Sequence, residues 1–166
     1  MDEQDLKYFG QFLAEFQKES ERGAALVGAA LLDARLERIL RSHFIEGKCA
    51  DELLDGGNAP LGSFSSRIKC CYALGLIAKN EKHDLELIRA VRNAFAHQEH
   101  GLTFESNKIR GLCASLASRR PLNVVEADGY SARARFTDAV IFNSMQLWYR
   151  PEYAQPLKCV ERSWPY

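Results

Sequence analysis

Ile88-Arg89-Ala90-Val91-Arg92-Asn93-Ala94-Phe95-Ala96-His97 is the stretch whose reading decides the fold. Ile88, Val91 and Phe95 recur at intervals of three and four, so a helix sets them on one apolar face, and their burial is expected. Beside that face runs a polar stripe, because Arg89, Asn93 and His97 follow one another at i, i+4 and i+8. At about 100° per residue, Arg92 and His97 stand roughly 140° apart around the axis with Asn93 between them. A core face with a concentrated polar stripe beside it reads as the central helix of a bundle with a groove along it. Arg92, Asn93 and His97 are the candidate site residues.

Outward from this helix the same periodicity continues. Asn80 is expected to cap its start, with Glu81 and Asp84 near the positive end. Upstream, Leu6, Phe9, Leu13 and Phe16 mark an N-terminal helix within residues 1–20. Ala25, Ala29, Leu32, Leu36, Ile39 and Leu40 mark a second helix from about Glu21 to Phe44. The first half of that helix is small (Gly23, Ala24, Ala25, Gly28, Ala29, Ala30), which points to another backbone packed very close, from the same chain or a partner. Asp55-Gly56-Gly57-Asn58-Ala59-Pro60-Leu61-Gly62 is a loop. Ser63 caps a third helix carrying Phe64, Ile68, Cys71 and Tyr72. Downstream, a helix from near Ser106 presents Ile109, Leu112, Cys113 and Leu116 and closes at Arg119-Arg120-Pro121. Val124-Val125 is an extended candidate, and Phe136, Val140, Asn143 and Leu147 mark a sixth helix. The tail, 150–166, with the aromatics Trp148, Tyr149, Tyr153, Trp164 and Tyr166 leading into and along it, is expected to lie across the bundle as a packing flap. No segment alternates as a strand would, and no repeat appears. The expectation is all-α: a single domain, residues 1–166, built as a bundle of about six helices.

Composition narrows the function classes. Hydrophobic residues make up 46% and charged residues 27%, an ordinary globular balance. No apolar run approaches the roughly 18 residues that cross a bilayer. Asp2, Glu3 and Asp5 stand where a secretory signal would be basic, then apolar. A cytoplasmic location away from membranes is expected. Lys plus Arg equals Asp plus Glu, 22 each, so no net charge draws the chain to polyanions, and tight non-specific nucleic-acid binding is not expected. The five cysteines, Cys49, Cys70, Cys71, Cys113 and Cys159, have neither the pairing of a disulfide framework nor Cys-x-x-Cys spacing. In His97-Gln98-Glu99-His100 two histidines stand three apart without an evident third ligand. No metal and no cofactor is expected.

Two resemblances follow from these residues. Arg92-Asn93-x-x-x-His97 resembles the Arg-polar-x-x-x-His signature of the HEPN superfamily, small helical bundles that often dimerise with this motif facing its twin. A wider likeness is carried by Glu21 to Ala30, Leu32-Asp33, Pro60 to Lys69, Tyr72 to Ile77 and Arg92 to His97, together similar to the MltR family, named from the mannitol operon repressor. This resemblance implies an all-helical regulatory protein without a recognisable DNA-reading motif.

Two functions compete on this ground. The preferred one is a non-enzymatic, MltR-like regulator of transcription acting through protein or nucleic-acid contacts in a homodimer. Its dimer interface would lie at the small face of the second helix or at the Arg92–His97 groove, a partner protein is a further candidate, and RNA or DNA contact is left open. The alternative is a HEPN-type, metal-independent endoribonuclease of a toxin or defence system. By that resemblance His97 would move the 2′-hydroxyl proton, Arg92 would stabilise phosphate charge, and Asn93 would orient the phosphate or His97. Against any site stands the plain structural role of Asn and His near a helix C-terminus, where they cap carbonyls and favour the dipole.

Overall fold

A helix with small residues on one side and large apolar residues on the other can accept neighbours all around, and residues 21–43 do so. The computed structural model describes residues 3–98, 100–118 and 130–165 (side chains from Lys7 on) and, among these, eight α-helices with no strand. They are α1 (Glu3–Phe16), α2 (Glu21–His43), α3 (Lys48–Leu54), α4 (Phe64–Ala73), α5 (Lys79–His97), α6 (Asn107–Ala114), α7 (Ala132–Trp148) and α8 (Arg150–Ala154), followed by a 3-10 turn, Gln155–Leu157. The all-α expectation holds. The helix number exceeds six because α3 and α8 are only 7 and 5 residues long, too short for a periodic stripe to show.

The hub of the bundle is α2, against which α7, α5, α8, α4 and α1 all pack. This corrects the expectation that the Arg92–His97 helix, α5, is central. The small residues decide the difference. A Cβ on Gly28 would meet Val140 Cγ2 of α7 at 3.0 Å and Phe16 Cζ of α1 at 3.1 Å, so α1 and α7 close over α2 at backbone range. Ala24, Ala25, Gly28 and Ala29 are thereby buried within the chain itself, which removes that face as a dimer interface. On α5, Leu85, Ile88, Val91 and Phe95 are buried as their spacing requires, while the opposite side is open. Phe95 touches Phe104, and Phe104 touches Phe136 of α7, with ring centroids 5.1 and 5.3 Å apart. Phe136, Val140, Asn143 and Leu147 are all buried along α7.

Local signals set several of the helix ends. Ser63 caps α4 in a reciprocal box, its Oγ accepting from Ser66 N at 3.1 Å while Ser66 Oγ accepts from Ser63 N at 3.2 Å. Asn80 does not cap α5. The helix begins at Lys79, and Ala78 N donates instead to Glu81 at 2.6 Å; the carboxylate three residues into the helix supplies the acceptor that the cap residue lacks. The Arg119-Arg120-Pro121 and Val124-Val125 readings lie outside the described residues, as does Tyr166. The tail crosses the end of α2, where Cys159 N donates to His43 O at 2.7 Å and Lys158 pairs with Glu46. Its aromatics divide. Trp148 covers the buried Arg35 guanidinium at 3.6 Å and meets Phe9 edge-on at 5.9 Å, whereas Tyr153 and Trp164 stay 71% and 63% exposed, so the flap reading holds only for the first.

Candidate functional site

The polar stripe of α5 borders a cleft whose other walls come from α2 and the start of α4. That second wall is held by an ion-pair ladder. The buried Arg67 of α4 lies 3.0 Å from Asp33 and 2.9 Å from Glu37, both on α2. Its remaining donors go to the carbonyls of Leu61 at 2.9 Å and Leu54 at 3.2 Å. Arg41 continues the ladder from Glu37 to Asp51, each at 3.0 Å, and on to Asp55. The 55–62 loop is thus clamped beside α2. Gly62 is needed there, since a Cβ would meet Gly56 O at 2.3 Å.

The resulting cleft has a volume of about 700 Å³, with Ala29 and Ala30 on the α2 wall, Gly62 to Ser65 on the α4 wall, and Arg89, Arg92 and Asn93 on the α5 wall. Arg89 is committed to Glu86, at 2.7 Å. Arg92 is exposed and donates through Nη1 to Asn93 Oδ1 at 3.0 Å. Asp33, on the opposite wall, has its carboxyl pushed up by burial, opposed by the Arg67 charge and hydrogen bond and, more weakly, by the Arg92 charge. Elsewhere burial pushes the thiols of Cys71 and Cys113 up to about 12, which leaves both as inert core groups.

The three candidate residues therefore separate. Arg92 and Asn93 line the cleft together, and Arg89, the third member of the stripe, joins them. His97 does not line it. It is the last residue of α5, exposed, and its side chain makes no hydrogen bond or ion pair among the described residues. Sequence reading missed Asp33, Ser63 and Ser65 as members of the same cleft; only the Pro60-Leu61-Gly62-Ser63 turn before a capped helix hinted that this wall is specially shaped. Neither Arg92 nor His97 holds a buried partner among the described residues. Arg92→Ala and His97→Ala should each leave the melting transition within about 0.5 kcal/mol of wild type, the usual range for surface changes, as measured by circular dichroism.

The chain can be compared with known proteins on this basis. The mannitol operon repressors of two Escherichia coli strains, K12 and O6:H1, are each 39% identical to it over 74 residues, which is 45% of this chain and 38% of theirs. The match thus spans well under half the length of these curated relatives. The X-ray structure of the MtlR-HPr complex from Escherichia coli resembles the bundle with a TM-score of 0.57 at 23% identity, covering 90% of this chain and 98% of that one; at that identity the likeness is one of fold. None of these relatives is described as a ribonuclease, and nothing in them carries that alternative. The family model described as MtlR, mannitol repressor, matches residues 15–152, from the end of α1 through α7 into α8, and the chain belongs to this family.

Proposed function

We propose that this chain is a non-enzymatic regulatory protein of the mannitol-repressor type, working as a homodimer through contact with a partner protein. The family match over residues 15–152 carries the reading. The solved relative of the same fold is a complex with HPr, which makes an HPr-type protein the first partner to try. The helices described here also offer little to a base-reading element. In a helix-turn-helix pair the second helix presents polar residues to the major groove, usually with basic flanks. The corresponding pair would be α4 and α5. On α4 Arg67 is buried in its ion-pair ladder and only Lys69 is exposed, and on α5, which would be the reading helix, Arg89 is paired with Glu86 and the Arg89, Arg92 and Asn93 stripe lines the cleft against α2 and α4.

Titration calorimetry of the purified chain with HPr from the same cell should give a saturable complex with Kd of about 10 μM or tighter. Light scattering should give a particle of twice the 18.8 kDa chain mass. The chain alone should not retard a promoter fragment at nanomolar concentration and physiological salt, the range in which specific DNA readers work. Nanomolar, sequence-specific retardation by this chain without a partner would refute the partner-dependent mechanism.

A further inference from the structure

The regulatory reading gives the α2–α4–α5 cleft no role, yet its lining has a chemistry of its own. Arg92 is unusual among the cleft's cations. Arg67 sits on Asp33 and Glu37, and Arg89 sits on Glu86. Arg92 engages only Asn93 Oδ1 and has no carboxylate within ion-pair distance among the described residues. A guanidinium presents five N–H donors in a planar fork, so four remain at the rim. The Asn93 amide N–H₂ next to it is likewise without an acceptor among the described residues. Across the cleft, the capping box uses the N–H groups of Ser63 and Ser66 but leaves those of Phe64 and Ser65 without an acceptor. All these donors suit an oxyanion.

The acceptor side narrows the ligand. Asp33 turns its buried Oδ1 to Arg67 Nη1 at 3.0 Å, while its side chain stays 27% exposed on the cleft wall, where Oδ2 accepts no hydrogen bond among the described residues. A bare phosphate would meet this carboxylate as a like charge. A ligand hydroxyl would give it the proton it lacks. Leu26 and Phe64 add an apolar surface for a carbon chain. The volume of about 700 Å³ is in the range of small-ligand sites. With one unpaired cation, the cleft does not present the row of positive charge that a nucleic-acid backbone requires.

We propose that this cleft binds a small polyhydroxylated phosphate monoester. Arg92, Asn93 and the first turn of α4 take the phosphate, and Asp33 accepts from ligand hydroxyls. This inference is independent of the regulatory proposal, because ligand can bind whether or not HPr does.

The test is calorimetry and thermal shift on the full chain with glucose 6-phosphate, glucitol 6-phosphate, their unphosphorylated parents, and inorganic phosphate. At least one sugar phosphate should bind, at least about 10-fold more tightly than inorganic phosphate or its own parent. Arg92→Ala should weaken that binding by at least about 10-fold, as expected for losing a charge-assisted contact. Ala30→Leu, which fills the cleft from an exposed position on α2 without changing charge, should do the same. Both variants should melt as wild type without ligand; should Ala30→Leu fail to fold, Arg92→Ala alone decides. No binding by any probe at about 5 mM, equal binding of inorganic phosphate and the sugar phosphates, or binding unchanged in Arg92→Ala would each overturn the proposal.

Discussion

Arg67→Ala should cost about 3–5 kcal/mol of folding stability, the range for removing one partner of a buried ion pair. Arg67 is 7% exposed, and its guanidinium is shared between Asp33, Glu37 and two loop carbonyls. Removing it strands Asp33, leaves Glu37 with Arg41 alone, and leaves the Leu54 and Leu61 carbonyls without that donor. The stranded groups, more than the lost attraction, set the size of the effect. Arg67→Lys should recover little, because a point ammonium cannot span four acceptors arranged around a planar fork. Urea denaturation followed by circular dichroism measures both; a cost below about 1 kcal/mol for the alanine variant would show the ladder to be weak, as surface pairs are. Since the same ladder holds the 55–62 loop, the cleft should lose its α4 wall in the surviving folded fraction.

The second large effect is expected at Asp84. This carboxylate is 2% exposed and accepts from Ala117 N at 2.7 Å, Ser118 N at 2.8 Å and the Ser118 hydroxyl. Ser118 Oγ in turn accepts from Asn143 Nδ2 of α7 at 2.9 Å. One side chain thus ties α5, α7 and the turn after α6 together. Asp84→Ala should destabilise by about 3 kcal/mol, because three part-buried donors lose their acceptor at once, at about one each. Asp84→Asn should cost less, because its amide oxygen still accepts part of the set. A double-mutant cycle with Ser118→Ala should show strong coupling between the two positions, as residues sharing one network do; additive losses would break the account.

Legibility in the sequence followed a physical division. Ile88, Val91 and Phe95 on α5, and Phe136, Val140 and Leu147 on α7, were readable because burial of one face imposes a 3.6-residue period on the chain itself. Ser63 was readable because a cap is a local contract between residues three apart. Asn80 misled for the same local reason: an equally good acceptor, Glu81, stood one residue on, and the helix began earlier. The resemblance to the mannitol-repressor family was carried by contiguous segments, and the family match bears it out.

What the sequence by itself determined was the all-helical class, the core faces of the long helices and the polar stripe of α5. Tertiary structure decided which helix is the hub, because only packing shows that Gly28 admits both Phe16 and Val140. It also decided which polar residues share a cleft. Asp33, Ser63 and Arg92 are distant in sequence and meet because α2, α4 and α5 pack against one another, while His97, five residues from Arg92, stands apart at the end of its helix. Periodicity records which side of a helix is dry; it holds no record of which wet sides face one another.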